Sequence, residues 1–494
     1  MSKALLLENI EKAQQEIQNK KPLVSSAKMR QRYHFMAEEG WINDPNGLIF
    51  FKGKYHFFYQ YNPYDTYWGA MHWGHAVSND LLHWDYLPMA LAPSETYDND
   101  EQGGCFSGSA IEWKGRLYLF YTGTTKTQEG FVQSQCLAWS DDGINFEKYE
   151  GNPIIHAPSW IEKDNFRDPK VWSNGNMFYM VCGGKKGNFA EALLYRSTNL
   201  TDWEFVNVMF ESRGEYGYMF ECPDFFHIGD LDVITFSPMG LGERTVIYIV
   251  GKLNYDTGKF RQIHTGEIDW GFDYYAPQSF LDGQGRRIMV AWSNAWDWMP
   301  WWKDWGPTHR EGWCGSFNIP REVKLMPDYS LQFMPISELA SIQYDKKIQY
   351  DVETKDELIL EAGDGISGEI KLVVDLERTT ASKIELFLRD NGKRAAILKL
   401  DLINEEIYLD RNQADDWNGG VTRSFLLTEG KTELDIDILL DQSSIEVFSC
   451  QYQVNHSCNV FADDSQNRNL VRVSDGKVYF KSIFTCGLHK TMDL

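Results

Sequence analysis

The sequence predicts an all-β chain: a five-bladed β-propeller followed by a β-sandwich, with a short N-terminal helix. Three observations carry this. An apolar run, a turn with Gly, and an aromatic or β-branched run recur five times, centred on Gly53, Gly115, Gly175, Gly229 and Gly285, at spacings of 62, 60, 54 and 56 residues. After residue 340 the repeat gives way to period-2 alternation, as in EIKLVVDLE, KIELFLRD and ELDIDILLD. Aromatics make up 15% of the 494 residues, which suits strands and excludes long disorder.

The elements follow in chain order. Leu6, Ile10, Ala13 and Ile17 recur at helical spacing, so 3–19 reads as an amphipathic helix within an N-terminal extension, 1–30. Each Gly-centred unit between 31 and 325 reads as a β-hairpin, Gly supplying the positive φ of a tight turn. Ser78–Trp84, Ser140–Phe146 and Ser197–Trp203 read as turns into an outer strand. About four strands per unit at a regular period favour a propeller over a single sandwich or barrel. The stretch MPDYSLQFMPISE, Met326–Glu338, contains two prolines and reads as part of a linker, 326–340. Short alternating strands over 341–494 suggest a sandwich with a structural role.

The charge excludes some functions. There are 48 Lys and Arg against 71 Asp and Glu, a net −23, which argues against nucleic acid as a partner. No apolar run is long enough for a membrane span, and Glu8 cuts short the apolar stretch Ala4–Leu7, so no export leader is expected. The eight Cys are scattered without a CxxC pair, which predicts reduced thiols, no metal site and a cytoplasmic protein.

The strand entering each hairpin is predicted to be innermost in its blade. Asp44, Ser107, Asp168, Glu221 and Tyr275 lie seven to ten residues before the five turn glycines, so the repeat gathers them at one end of the channel. Three of them are carboxylates. Paired carboxylates across a cleft are the equipment of glycoside hydrolysis: one attacks, and the other protonates the leaving oxygen and then activates water. Each also has a structural reading: Asp44 in a turn, Asp168 paired with Arg167, Glu221 solvated on a strand. Clustered acids can also hold Ca²⁺, but these are single acids on separate repeats.

At these residues the sequence resembles glycoside hydrolase family 32, the β-fructofuranosidases. The resemblance rests on Trp41-Ile42-Asn43-Asp44-Pro45-Asn46-Gly47, Phe166-Arg167-Asp168-Pro169 and Glu221-Cys222. It implies that Asp44 is the nucleophile, that Asp168 binds fructosyl hydroxyls in the transition state, and that Glu221 is the acid/base. It also implies a fructose pocket of Trp41, Ile42, Asn43, Gln60, Trp68, Phe106, Ser107, Arg167 and Tyr275, with Trp313 on the leaving-group side. A retaining mechanism through a fructosyl-enzyme, without metal or organic cofactor, is expected. Arg167 or backbone N–H groups are expected to lower the Asp44 pKa, and burial or negative charge to keep Glu221 protonated at the start.

The implied substrate is sucrose 6-phosphate or sucrose, with fructo-oligosaccharides and fructosyl transfer as alternatives and a non-catalytic sugar-binding propeller as a third. Lys185, Lys303 and Arg310 are candidate phosphate ligands. Trp296, Trp298, Trp301, Trp302 and Trp305 either extend the cleft or pack as a loop. Ser449–Gln453 replaces the Gly-containing hairpin usual in the family, which puts that hairpin in question.

Overall fold

The computed structural model describes residues 2–128, 130–242, 244–300 and 306–492. The N-terminal helix runs Ser2–Val24, longer than the periodicity predicts, with Pro22 in its last turn. Leu6, Ala13, Ile17 and Val24 are its buried face. Asn9 Nδ2 donates to the Pro93 carbonyl (2.7 Å) and Lys20 Nζ to that of Tyr64 (2.7 Å), tying the helix to the first sheet and the loop beyond it.

Five antiparallel sheets follow. The first comprises Gly40–Phe51, Lys54–Asn62, His72–Ser78 and Trp84–Leu91, with Trp313–Cys314 added in parallel beside Gly40–Phe51. The second comprises Gly104–Trp113, Arg116–Thr127, Gly130–Ser140 and two short outer strands. The third begins at Phe166–Asn174, the fourth at Met219–Ile228 and the fifth at Tyr275–Leu281. The first strand of each sheet touches the first strands of its two neighbours, closing a ring. The turn glycines adopt positive φ, from +58° at Gly229 to +83° at Gly285, where a side chain would be strained. The recurring Ser turns form as expected: Ser78 Oγ accepts from the Leu81 amide (2.8 Å) and Ser197 Oγ from that of Leu200 (3.0 Å).

The expected linker is a correction. Arg321–Leu325 and Leu331–Pro335 form a hairpin that completes the fifth sheet. Leu331 and Phe333 point into the core while the prolines sit at the turn and the strand end, so proline content misled the sequence reading.

The C-terminal part stacks two six-stranded sheets. Alternate residues such as Ile370, Leu372, Leu386 and Leu388 fill the space between them. The Ser444–Ser449 strand does pair with Val454–Asn459, without a glycine in the turn. Cys450, Gln451 and Tyr452 instead take φ of +53°, +58° and +63°. Docking offsets the strain: the Gln451 amide donates to Asp435 Oδ2 (2.8 Å), and the Tyr452 carbonyl accepts from the Phe333 amide (2.9 Å) on the last propeller strand.

Between the two parts lies a buried charge network. Arg321 pairs with Asp269 (2.9 Å) and Glu446 (2.7 Å), and Arg411 with Asp273 (2.6 Å). His34 bridges Asp441 and Glu446 at 2.8 Å each. Burial opposes a charged imidazole, but the hydrogen bonds and charges of the two carboxylates win and raise its pKa to about 9. All eight cysteines are free and buried. No helix among the described residues is long and apolar enough to cross a membrane.

Candidate active site

The site is built from a shared irregularity. Every first strand breaks register at the same level: between Ile42 and Pro45, Phe106 and Gly108, Arg167 and Lys170, Glu221 and Asp224, and Tyr275 and Gln278. Such bulges re-aim side chains and end pairing. Asp168, Cys222 and Ala276 take φ of +65°, +47° and +52°. Each strained amide has a partner: Asp168 N donates to Thr122 Oγ1 (3.0 Å), Cys222 N to Asp168 Oδ2 (2.8 Å), and Ala276 N to Ser237 Oγ (2.8 Å). Asp168 therefore aligns with Cys222, and Arg167 with Glu221 and Tyr275. The turn glycines give the same alignment for these two blades: Asp168 and Cys222 each lie seven residues before their glycine, and Arg167 and Glu221 each lie eight before.

A cavity of about 1050 Å³ opens over these bulges. Asn43, Asp44, Gln60, Trp68, Phe106, Ser107, Arg167, Asp168, Glu221 and Tyr275 all line it. Asp44 Oδ2 accepts from Ser107 Oγ (2.5 Å) and the Cys222 thiol (3.2 Å). Asp44 Oδ1 is buried and accepts no hydrogen bond among the described residues. Glu221 Oε1 accepts from an Arg167 nitrogen at 2.8 Å, and Oε2 accepts from the Tyr275 hydroxyl. Arg167 Nε is 3.8 Å from Asp168 Oδ2.

Electrostatics follow from this layout. Burial pushes Asp44 above the usual carboxylate range; the Ser107 hydrogen bond opposes this and the Glu221 charge adds to it. The expected lowering by Arg167 does not occur, because that guanidinium is directed at Glu221 and Asp168. Burial likewise raises Asp168 to about 7, against Arg167 and with help from the Asp44 and Glu221 charges.

Three expected pocket residues lie elsewhere. Trp41 is fully buried beneath the wall: its Nε1 donates to Asn43 Oδ1 (2.9 Å), and its ring stacks on Trp296 at 6.1 Å. Ile42 is buried against Gly315. Trp313, paired beside Gly40, faces Val24 and Met36 under the Arg30 guanidinium, away from the cavity. Of the tryptophan cluster, Trp296 lines the cavity, whereas Trp298 turns onto Phe272 (4.8 Å). Trp301, Trp302, Lys303 and Trp305 lie outside the described residues. Lys185 pairs with Glu162 (2.8 Å), and Arg310 lies over Trp417 (5.6 Å); neither lines the cavity.

Other lining residues were not foreseen. Glu101, Gln102, Asp164, Tyr218 and Asp297 come from connections between strands, which carry no repeat signal. Gln133 is legible only in retrospect: its side-chain oxygen accepts from the Phe166 amide (3.0 Å) just before the Arg167 bulge. Among the described residues, no group of His, Cys, Asp and Glu is arranged to hold a metal ion.

Comparison with known proteins agrees with this architecture. The N-terminal domain of glycosyl hydrolases family 32 matches residues 34–335, and the family's C-terminal domain matches 338–484. A protein of Zymomonas mobilis named sucrose-6-phosphate hydrolase is 37% identical over 91% of this chain and 90% of its own length. An Escherichia coli raffinose invertase is 41% identical over 63% of this chain and 65% of its own. The structure of a Bombyx mori family 32 β-fructofuranosidase superposes with a TM-score of 0.81 at 31% identity, covering 97% of this chain and 98% of that one. With both family domains matched in order across a propeller and a sandwich, this chain belongs to glycosyl hydrolase family 32.

Proposed function

We propose that the protein hydrolyses terminal β-D-fructofuranosides with retention, through a covalent fructosyl-enzyme. One observation carries the assignment of roles. Of the three converging carboxylates in the cavity wall, Asp44 alone has no ion-pair partner among the described residues: its Oδ2 accepts from Ser107 Oγ (2.5 Å) and the Cys222 thiol (3.2 Å), whereas Arg167 faces both Glu221 and Asp168. A nucleophile needs a carboxylate that is aimed but not neutralised, and the Ser107 and Cys222 contacts at Oδ2 fix its direction without a cation.

In the first half-reaction the Asp44 carboxylate bonds to C2 of the fructosyl ring as the C2–O bond to the leaving sugar breaks. Glu221 gives its proton to the departing oxygen. In the second half, Glu221 takes a proton from water, the water oxygen bonds to C2, and Asp44 is released. The Arg167 and Tyr275 donors on Glu221 match its carboxylate form, the base in that second half. Asp168, held by the Cys222 amide, accepts from fructosyl hydroxyls as positive charge builds at C2. The names of the relatives, sucrose-6-phosphate hydrolase, raffinose invertase and β-fructofuranosidase, support this substrate class. Free thiols at all eight cysteines support a reducing, cytoplasmic setting.

The test is the rate of fructose release from sucrose and from sucrose 6-phosphate, with Asp44→Ala as control. Fructose release from at least one sugar, lost in the variant, is expected. No release from either, or release untouched by the substitution, would contradict the proposal.

A further inference from the structure

The fructosyl chemistry leaves one property of the substrate open: whether the sugar leaving from C2 carries a phosphate. The charges around the cavity bear on this, and the inference rests on the hydrolase reading above. Six carboxyl side chains line the cavity: Asp44, Glu101, Asp164, Asp168, Glu221 and Asp297. Among the described lining residues Arg167 is the one Lys or Arg, and its guanidinium is committed to Glu221 and Asp168.

The six acids divide by depth. Asp44 and Asp168 are buried at the floor, and Asp44, the nucleophile of the reading above, marks the fructosyl end. Glu101, Asp164 and Asp297 are exposed at the mouth, on three different connections, where the leaving sugar must lie. None of these three is in an ion pair among the described residues. Of the cations outside the lining, Lys185 pairs with Glu162 (2.8 Å), while Lys126 donates to the Gln102 side-chain oxygen (2.9 Å), a neutral partner that leaves one positive charge behind Gln102 against three carboxylates. Asp297 responds to the field, since partial burial and then the Glu221 charge push its pKa upward.

We infer that Glu101, Asp164 and Asp297 form an acidic rim that selects fructosides with an uncharged leaving sugar and disfavours phosphorylated ones. A phosphate monoester is nearly dianionic at neutral pH, and its recognition relies on guanidinium or ammonium donors. Here it meets three carboxylates and no uncommitted cation among the described lining residues. Because the rim is exposed, its repulsion is screened by salt, so the discrimination is moderate and depends on ionic strength.

The experiment compares kcat/KM for sucrose and for sucrose 6-phosphate on the full chain, at about 20 mM and about 300 mM NaCl, where screening differs strongly. It is run on the wild type, on a combined Glu101→Gln, Asp164→Asn, Asp297→Asn variant and its single members, and on Lys303→Ala. The wild type is expected to favour sucrose by about tenfold or more at low salt, with the preference narrowing at high salt. The combined variant narrows it at low salt and loses most of the salt dependence. A wild-type preference for the phosphorylated sugar would overturn the rim while leaving the hydrolase reading intact. So would a ratio unmoved by salt and by the combined variant, or a Lys303→Ala loss confined to the phosphorylated sugar. Turnover of neither sugar would remove the hydrolase reading and this inference together.

Discussion

The interior of the sandwich and the centre of the propeller ring are both buried, and they are built in opposite ways. Between the sandwich sheets, Ile384, Leu386, Leu388, Leu398 and Leu400 are fully buried at alternating positions of paired strands, with a break in register only at the end, around Arg389. At the ring centre, every first strand is bulged, three residues sit at positive φ, and carboxylates are held where burial disfavours their charge. The first region is arranged for stability. The second gives up local stability to aim groups at C2, the usual location of backbone strain in a protein.

The largest expected effect falls at the ring centre. Asp44→Ala should lower kcat by about 10⁴-fold or more, as loss of a nucleophile does, with the thermal midpoint unchanged or raised. Steady-state rates and calorimetry on the same preparation check this. Glu221→Gln comes next: hydrolysis of sucrose should fall about 10²–10⁴-fold, the range of general-acid contributions, while fructosides with good leaving groups are largely spared. Equal losses on both would remove Glu221 as the acid.

The sandwich should respond in the other currency. Leu386→Ala should cost about 2–5 kcal/mol by denaturant unfolding, the range for a buried Leu, with kcat/KM per folded molecule unchanged. A changed kcat/KM would show that the two regions are coupled.

Two smaller effects depend on pH. Asp168 in the folded state holds its proton up to about 7, above the ordinary carboxylate value. Between those pH values the folded state binds more protons than the unfolded one, so stability falls as pH rises through that window. Asp168→Asn should flatten this decline, and raise the midpoint at neutral pH, while lowering activity. His34 has the opposite relation to its partners. Its contribution is fully present below its ordinary pKa, near 6.5, and is lost as pH rises through about 9. Thermal midpoints measured from acid to alkaline pH, with His34→Gln alongside, separate the two windows.

The comparison also explains what the sequence could reveal. The turn glycines and the inward polar residues lie on repeating strands, where period and spacing carry information, so ten of the thirteen expected site residues line one cavity. The failures come from breaks in period. A bulge turns Trp41 and Ile42 away while exposing Asn43 and Asp44, and glycine spacing does not show where a bulge falls. Trp313 sits on a two-residue strand added from a distant segment, a pairing with no local signal. Leu331–Pro335 is hidden by Pro327 in the turn before it and Pro335 at its end, although Leu331 and Phe333 alternate. The rim acids lie on connections of unequal length, and only tertiary structure brings them together.

The anomer first released bears most directly on the central claim. Proton NMR of sucrose digested by the wild-type enzyme, recorded faster than mutarotation, should show β-fructofuranose first, because two displacements at C2 restore the starting configuration. Initial release of the α anomer would mean a single displacement by water and would contradict a fructosyl-enzyme on Asp44.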